Sequence, residues 1–167
     1  MKYTPSTLLL LPVVLAAFFV ACNGKKAATS SAIYGGSSPG DSLFFTLTKT
    51  PCFGKCPAYT VNVYRSGYAT YNGKSHVEKT GEYMAHVGMD TLALLLAKAE
   101  AIGFFDLQDV YDSQVTDLPS TTIVVAAGGR SKQVKARHQV PQQFKDFAAY
   151  AEGLLQPVAW KPLKAQD

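Results

Sequence analysis

The residues of this chain best suited to chemistry are two cysteines in a proline-bounded segment, TPCFGKCP at residues 50–57. Three residues separate Cys52 from Cys56, and the segment lies between two stretches with the pattern of β-strands. In an oxidising compartment two such thiols close into a disulfide when their Cα atoms come within about 7 Å, which a tight turn permits. We therefore favour a structural disulfide between Cys52 and Cys56, and we keep a redox-active thiol pair as the alternative.

The third cysteine, Cys22, follows a segment typical of protein export. Lys2 gives a positive start, and residues 8–20 (LLLLPVVLAAFFV) are continuously apolar. A helix of this length rises only about 20 Å, short for a hydrocarbon core of about 30 Å, so the pattern indicates a signal peptide. Residues 19–22 (FVAC) resemble the lipobox of bacterial lipoproteins, in which the cysteine is acylated, although Phe19 replaces the usual leucine. We therefore expect a lipoprotein signal peptide at residues 1–21 and lipid, including palmitate, on Cys22.

Residues 22–41 are predicted to be a flexible tether. The segment after Cys22 (NGKKAATSSAIYGGSSPGD) is rich in Gly, Ser, Ala and Lys and has no apolar period, as in flexible linkers. Asn23, rather than an aspartate, follows the cysteine, so nothing argues for retention at an inner membrane. We expect a bacterial protein of the cell envelope, lipid-anchored to a membrane, most simply the outer membrane, and facing the periplasm or the cell surface.

The composition is that of one globular domain. The chain has 167 residues, of which 47% are hydrophobic and 17% charged, which excludes a disordered chain and a protein with several membrane spans. We predict one domain at residues 42–157 and a C-terminal tail at residues 158–167. The formal charge of +4 becomes +1 once Lys2, Lys25 and Lys26 are left out, so we expect no nucleic-acid partner.

The spacing of apolar residues predicts the elements that position the cysteines. Alternation predicts four strands between residues 43 and 84, with turns at Ser66–Gly67 and Asn72–Gly73, and a later hairpin around Gly128–Gly129. Helical spacing predicts one helix capped by Asp90 and ended by Gly103, and a last helix that starts at Pro141. The sequence thus predicts an α+β fold, an antiparallel sheet of about five or six strands with two helices on one face, in the order ββββαββα.

Four polar residues are candidates for a binding surface: Lys55, Tyr64, Tyr111 and Asp117. Tyr64 belongs to a group of tyrosines on the first strands, where exposed aromatic rings would favour a partner. Asp117 could be a buried acid or a ligand, but Asx residues commonly initiate turns by bonding their own backbone, and we favour that interpretation. The histidines have no close ligand spacing, which argues against zinc.

Enzyme motifs are missing from the sequence. It contains no nucleophile triad, phosphate-binding glycine loop or glycosidase carboxylate pair that we recognise. We therefore expect a non-enzymatic binding or structural domain without a cofactor. Its expected partners are the membrane, through the lipid, and an unknown protein or small molecule.

Several segments together resemble one family of bacterial envelope proteins. They are TPCFGKCPAYTVNVY at residues 50–64, Gly67, YNG at residues 71–73, FFDL at residues 104–107, Tyr111, VTDLP at residues 115–119, and Pro141. The family is known only as domain of unknown function six-four-three-eight, and the resemblance covers residues 43–155. It implies no known activity, substrate or catalytic residue.

The pattern Cys-x-x-x-Cys-Pro with a distant histidine also resembles the copper-binding, thioredoxin-like assembly factors of cytochrome oxidase. That resemblance implies Cys52, Cys56 and His138 as ligands, a soft set that suits Cu(I). In those factors a helix follows the motif and lowers the pKa of a thiol, whereas Pro57 here leads into a predicted strand. An envelope thiol-redox or Cu(I)-binding protein therefore remains the alternative function.

Overall fold

The computed structural model describes residues 40–112 and 117–163, which form an α+β domain. The predicted signal peptide, Cys22 and the tether up to residue 39 lie outside the described residues. The described elements, in chain order, are β1 (Leu43–Lys49), β2 (Ala58–Tyr64), β3 (Tyr68–Ser75), β4 (Gly81–His86), α1 (Met89–Ala101), a 3₁₀ helix (Phe104–Asp106), β5 (Val110–Tyr111), β6 (Thr121–Ala127), β7 (Arg130–Ala136), α2 (Gln142–Leu155) and β8 (Lys161–Pro162). Within these residues, no helix combines the length and apolar character needed to span a membrane.

The strands of the described residues form one mixed sheet of eight strands in the order β5-β7-β6-β1-β2-β3-β4-β8. Neighbouring strands are antiparallel except β5, which runs parallel to β7. The prediction of an α+β fold is confirmed, but the predicted five or six strands, the wholly antiparallel pairing and the order ββββαββα were wrong. The added strands, β5 and β8, have two residues each, too few for an alternating pattern to be visible.

The turns that connect β2, β3 and β4 were predicted only in part. Gly67 has a φ of 84° between β2 and β3, as the predicted turn at Ser66–Gly67 requires. The predicted turn at Asn72–Gly73 was wrong, because both residues lie inside β3. The fourth of the strands predicted between residues 43 and 84 is β4 at Gly81–His86, which extends beyond that range, and a loop precedes it.

The helices begin and end close to their predicted limits. Gly88 occupies the N-cap of α1, so the predicted cap at Asp90 was wrong, and Asp90 lies in the first turn. Gly103 follows α1 with a φ of 65°, which agrees with the predicted helix end. Pro141 is the N-cap of α2, and the predicted apolar stripe is buried at Phe144, Phe147, Ala148, Ala151 and Leu155.

Both helices pack on the same face of the sheet. Phe147 of α2 contacts Phe45 of β1 with ring centroids 6.0 Å apart, and Phe104 of the 3₁₀ helix at 5.4 Å. α1 contacts both α2 and β6. The opposite face of the sheet is polar, and the Thr46 hydroxyl donates to the Asn62 side chain at 2.9 Å there. The sheet therefore has one apolar face, which the helices cover, and one polar face.

The two ends of the sheet carry different groups. At the first end, Asp41 precedes β1 and accepts a hydrogen bond from the Ser66 hydroxyl at 2.5 Å. At the other end, Lys49 of β1 pairs with Tyr59 of β2 and with Thr121 of β6. The cysteine segment joins β1 to β2 at this second end, which we call the cysteine end. The loop at residues 76–80 between β3 and β4 lies there as well, because Ala58 pairs with Ser75.

Candidate functional site

The structure contains the predicted disulfide. Cys52 and Cys56 are bonded, with Cα atoms 5.6 Å apart, and close a loop whose tip is exposed. Phe53 at this tip is 93% exposed, and Lys55 is exposed beside it. The backbone N–H of Gly54 donates to Cys52 Sγ at 3.2 Å.

Hydrogen bonds between Thr50 and Ser120 hold the base of the cysteine segment against β6. The Thr50 backbone N–H donates to the Ser120 carbonyl at 3.0 Å, and the Ser120 N–H donates to Thr50 Oγ1 at 2.8 Å. The two side-chain hydroxyls lie 3.0 Å apart, and Ser120 is only 1% exposed. Buried polar groups are costly unless they are bonded, so this pair fixes the start of the disulfide loop.

Beside the disulfide loop the structure forms a cleft of about 330 Å³ that sequence reasoning missed. Its walls come from β1, β2, β3, the loop at residues 76–79, the end of α2 and the segment before β8. The lining residues are Leu47, Pro57, Tyr59, Val61, Tyr71, His76, Val77, Glu78, Lys79, Glu152, Leu155, Gln156 and Trp160. We call this site the aromatic cleft.

Three aromatic rings form one continuous wall of the aromatic cleft. Tyr71 stacks on Tyr59 with centroids 5.6 Å apart and an interplanar angle of 22°, and Trp160 lies 5.6 Å from Tyr71. The indole N–H of Trp160 donates to the Leu155 carbonyl at 3.1 Å, which fixes that ring against the end of α2. Burial raises the pKa of Tyr71, and the neighbouring Tyr83 adds to the effect.

Glu152 supplies a carboxylate to the aromatic cleft. The Tyr59 hydroxyl donates to Glu152 Oε1, and Lys49 Nζ lies 2.6 Å from the same oxygen. Burial raises the pKa of Tyr59 far above its usual value, and the hydrogen bond to Glu152 raises it further. Both contacts meet at Oε1, so Tyr59 and Lys49 hold the Glu152 side chain in one place.

A close approach at Gly73 brings the loop at residues 76–79 over the cleft. A Cβ atom on Gly73 would lie 1.9 Å from the Lys79 carbonyl oxygen, a distance that no side chain tolerates. Glycine at this position therefore lets the loop fold back on β3. In the loop, His76 has a φ of 53° and Lys79 pairs with Glu78 at 3.1 Å.

The four residues predicted as a binding surface do not gather in one place. Lys55 precedes β2, whereas Tyr64 ends it, about 20 Å away at the rise of an extended strand. Tyr111 lies on β5, where its hydroxyl accepts the Gln108 N–H at 3.1 Å, and Asp117 is exposed in a turn. Lys55, Tyr111 and Asp117 share the cysteine end, while Tyr64 contacts Tyr68 at the other end.

His138 does not join the two cysteines in a metal centre. It is exposed in the loop after β7, and its backbone N–H contacts the Tyr111 carbonyl at 3.3 Å. β6 separates β7 from β1, which leads into the cysteine segment. In the part of the chain that the structure describes, no three His, Cys, Asp or Glu side chains form a group that could hold a metal ion.

The residues of the aromatic cleft were missed for identifiable reasons. Glu152 is one of two acids in α2, neither of which carries a signal in the sequence, and it meets Tyr59 only in the fold. Trp160 falls in the segment predicted as a tail, yet β8 pairs with β4, and the Leu163 N–H bonds the Glu82 carbonyl at 2.8 Å. Trp160 is the only tryptophan in the chain, a signal that could have extended the domain beyond residue 157.

Comparison with known proteins gives a family but no activity. The profile of the family described as Domain of unknown function (DUF6438) matches residues 43–155. This range includes the disulfide loop and Glu152 and stops before Trp160. A search of curated proteins gave no match. Because the matched range covers more than half of the chain, this protein belongs to the family of Domain of unknown function (DUF6438).

Proposed function

We propose that this protein is a membrane-anchored extracytoplasmic lipoprotein whose domain binds a small ligand in the aromatic cleft without catalysing a reaction. One observation carries the proposal: a cleft of about 330 Å³ that is lined by the rings of Tyr59, Tyr71 and Trp160 together with Glu152. Small-molecule sites are typically clefts of roughly 300–1,000 Å³ with apolar and aromatic walls and a few fixed polar groups.

Several side chains that line the aromatic cleft are fixed by contacts within the fold, which favours ligand binding. Tyr59 and Lys49 hold Glu152 from the sheet side, and the Trp160 indole is fixed by its bond to Leu155. The disulfide between Cys52 and Cys56 closes the loop that leads to Pro57, a residue of the cleft lining. Groups fixed before binding lose little conformational entropy when the ligand arrives, which favours affinity.

The membrane anchor of the proposal is supported by the sequence pattern of residues 1–22. Its test is metabolic labelling of the full chain with radioactive palmitate in a bacterial host. We expect label on the parent protein and on Cys52→Ser, and none on Cys22→Ser. Cys52→Ser is the matched control because it removes one cysteine while retaining the predicted lipid site. Equal labelling of parent and Cys22→Ser, or no labelling at all, would contradict the anchor.

The binding role can be tested by NMR on the full-length chain in detergent micelles. A library of small polar and aromatic fragments is added to ¹⁵N-labelled protein, and shifts of the backbone amides are followed. Hits should perturb the amides of Tyr59, Tyr71, Gln156 and Trp160 as one group. A library without hits, or hits that cluster away from these residues, would contradict the proposed site.

A second candidate function is the envelope thiol-redox or Cu(I) protein predicted as the alternative. The contact of the Gly54 N–H with Cys52 Sγ, at 3.2 Å in an exposed loop, favours it. Once the disulfide is reduced, a hydrogen-bond donor beside the sulfur stabilises the thiolate, which is the nucleophile of thiol exchange. His138, the third copper ligand of the prediction, lies in the loop after β7, which β6 separates from β1, so thiol exchange, which needs the two cysteines alone, is the simpler form of this candidate.

Two measurements decide between a permanent disulfide and this second candidate. Thiol counting by mass spectrometry, on protein alkylated in its native compartment, should find Cys52 and Cys56 fully bonded if the disulfide is permanent. A mixed population of bonded and free thiols would favour redox cycling. Titration of the reduced protein with Cu(I) should show stoichiometric uptake, lost in Cys52→Ser, only if the copper form of the candidate holds.

A further inference from the structure

The charges around the aromatic cleft are balanced in pairs. Glu152 lies 2.6 Å from Lys49, and Glu78 lies 3.1 Å from Lys79. Each carboxylate that lines the cleft therefore has a lysine beside it. An ionic ligand is selected by uncompensated charge of the opposite sign. Paired charges of this kind favour a neutral ligand instead.

The lining of the aromatic cleft is more apolar than polar. Tyr59 and Tyr71 are stacked, Trp160 lies against Tyr71, and the buried aliphatic residues Leu47 and Val61 also line the cleft. Tyrosine and tryptophan rings combine a large apolar surface with a polar group at one edge. A ligand with one flat apolar side is therefore expected against this wall.

Polar residues of α2 and of the loop at residues 76–79 also line the cleft. They are Glu152, whose carboxylate accepts hydrogen bonds, Gln156, whose amide both donates and accepts, and Lys79, whose ammonium donates. A purely apolar ligand would leave these groups without partners, which costs binding free energy. The ligand should therefore carry several hydroxyl groups, each of which donates and accepts.

We infer that the aromatic cleft binds a neutral pyranose ring of a glycan, with its C–H face on the aromatic wall and its hydroxyls on Glu152 and Gln156. This inference rests on the proposed binding function and names the ligand class of the same site. A cleft of about 330 Å³ is near the lower limit for small-molecule sites, so the bound unit is of monosaccharide or disaccharide size.

Intrinsic fluorescence is the direct test, because Trp160 is the only tryptophan of the chain and lines the cleft. The full-length chain, in a detergent without a sugar headgroup, is titrated with cellobiose, maltose, lactose and N,N′-diacetylchitobiose. At least one saccharide should shift Trp160 emission saturably. Gln156→Ala should weaken that binding by about five- to tenfold, the effect of one lost hydrogen bond, and Glu152→Gln should also weaken it. Gln143→Ala, on an exposed position of α2, is the matched control and should leave it unchanged.

Two further probes separate the sugar class from binding in general. Tetramethylammonium tests a cation against the aromatic wall, and cyclohexanol offers an apolar ring with a single hydroxyl. If either probe changes the Trp160 emission and the saccharides do not, the sugar assignment is overturned, but the proposal that the cleft binds a small ligand is retained. If no probe changes the Trp160 emission, the sugar assignment is overturned. The NMR fragment screen then decides whether the proposed binding function is contradicted as well. A saccharide response that is the same in Gln156→Ala and Glu152→Gln as in the parent also overturns it.

Discussion

The phenol of Tyr59 and the carboxylate of Glu152, 93 residues apart in the chain, are joined by a hydrogen bond that links β2 to α2. Lys49 reaches the same carboxylate from β1, so two strands and the last helix meet at one half-buried side chain. This junction forms part of the aromatic cleft and is also a packing contact of the fold. Changes to Tyr59 should therefore affect both stability and its dependence on pH.

Stability should fall at alkaline pH because the pKa of Tyr59 is raised in the folded protein, first by burial and then by Glu152. In the unfolded chain the phenol loses its proton near pH 10, whereas the folded protein retains it. The stabilisation is thus complete below about pH 10 and decreases above it, by up to about 1.4 kcal/mol per pH unit. Melting temperatures measured by circular dichroism between about pH 8 and pH 11 should show the fall.

Tyr59→Phe tests whether that fall belongs to this residue. The variant should be less stable at neutral pH by about 1.5–3 kcal/mol, the range for a hydrogen bond to a charged group. It should also lose part of the alkaline slope. Tyr150→Phe, on the α2 surface over Lys98, keeps Tyr59 and serves as the control. Identical alkaline slopes in Tyr59→Phe and the parent would show that other groups cause the fall.

Two phenylalanines allow the same substitution at opposite extremes of burial. Phe147 is 0% exposed and contacts Phe45 and Phe104, whereas Phe53 is 93% exposed. Phe147→Ala should lower the free energy of unfolding by about 3–5 kcal/mol through lost burial and the remaining cavity. Phe53→Ala should change it by less than about 0.5 kcal/mol. Urea denaturation measures both, and a large effect of Phe53→Ala would mean that the loop tip packs against something in solution.

Loss of the disulfide should lower stability moderately. The bond closes a loop with a sequence separation of 4 residues, for which the chain-entropy model gives about 2 kcal/mol. The double variant Cys52→Ser with Cys56→Ser should therefore melt roughly 4–10 °C below the oxidised parent and keep its circular dichroism spectrum. The reduced parent is the matched control and should behave like the double variant. An unchanged melting temperature would mean that Thr50 and Ser120 alone fix the loop.

Gly73 and Gly153 should respond in opposite ways to alanine. At Gly73 a Cβ atom would collide with the Lys79 carbonyl, whereas at Gly153 in α2 nothing lies within 4 Å. Gly73→Ala should destabilise the protein by at least about 1–3 kcal/mol and move the loop at residues 76–79 away from the cleft. Gly153→Ala should stabilise it by about 0.5–1 kcal/mol, because alanine favours the helix. Thermal melts measure whether each variant gains or loses stability. If Gly73→Ala has the stability of the parent, the loop moves aside without a loss of free energy.

The parts of the fold that depend on local sequence patterns were predictable. The turn at Ser66–Gly67 and the apolar stripe of α2 follow from residue type and spacing alone. Asn72–Gly73 has a sequence typical of a turn, but glycine is needed there because β3 and the loop before β4 approach closely at Gly73. The same residue type fits both roles, and only the tertiary packing distinguishes them.

The candidate site was predictable only at the cysteines. Cys52 and Cys56 are close in sequence, so their spacing alone indicates a bond. The aromatic cleft instead gathers Tyr59, Tyr71, Glu152 and Trp160 from four separate elements, through contacts such as the one that spans 93 residues. No window of sequence contains such a contact, and β8, which holds the Trp160 segment on the sheet, has only two residues.

The placement of the cysteine end has a practical consequence for handling the molecule. The chain enters β1 beside Ser66, at the end of the sheet away from the aromatic cleft, whereas Leu163 follows β8 and lies three residues after Trp160 of the cleft lining. Immobilisation on a sensor surface through the N-terminal side should leave the cleft open to solution. A fusion partner appended after Leu163 would crowd its mouth, so assays with C-terminal tags should underestimate affinity.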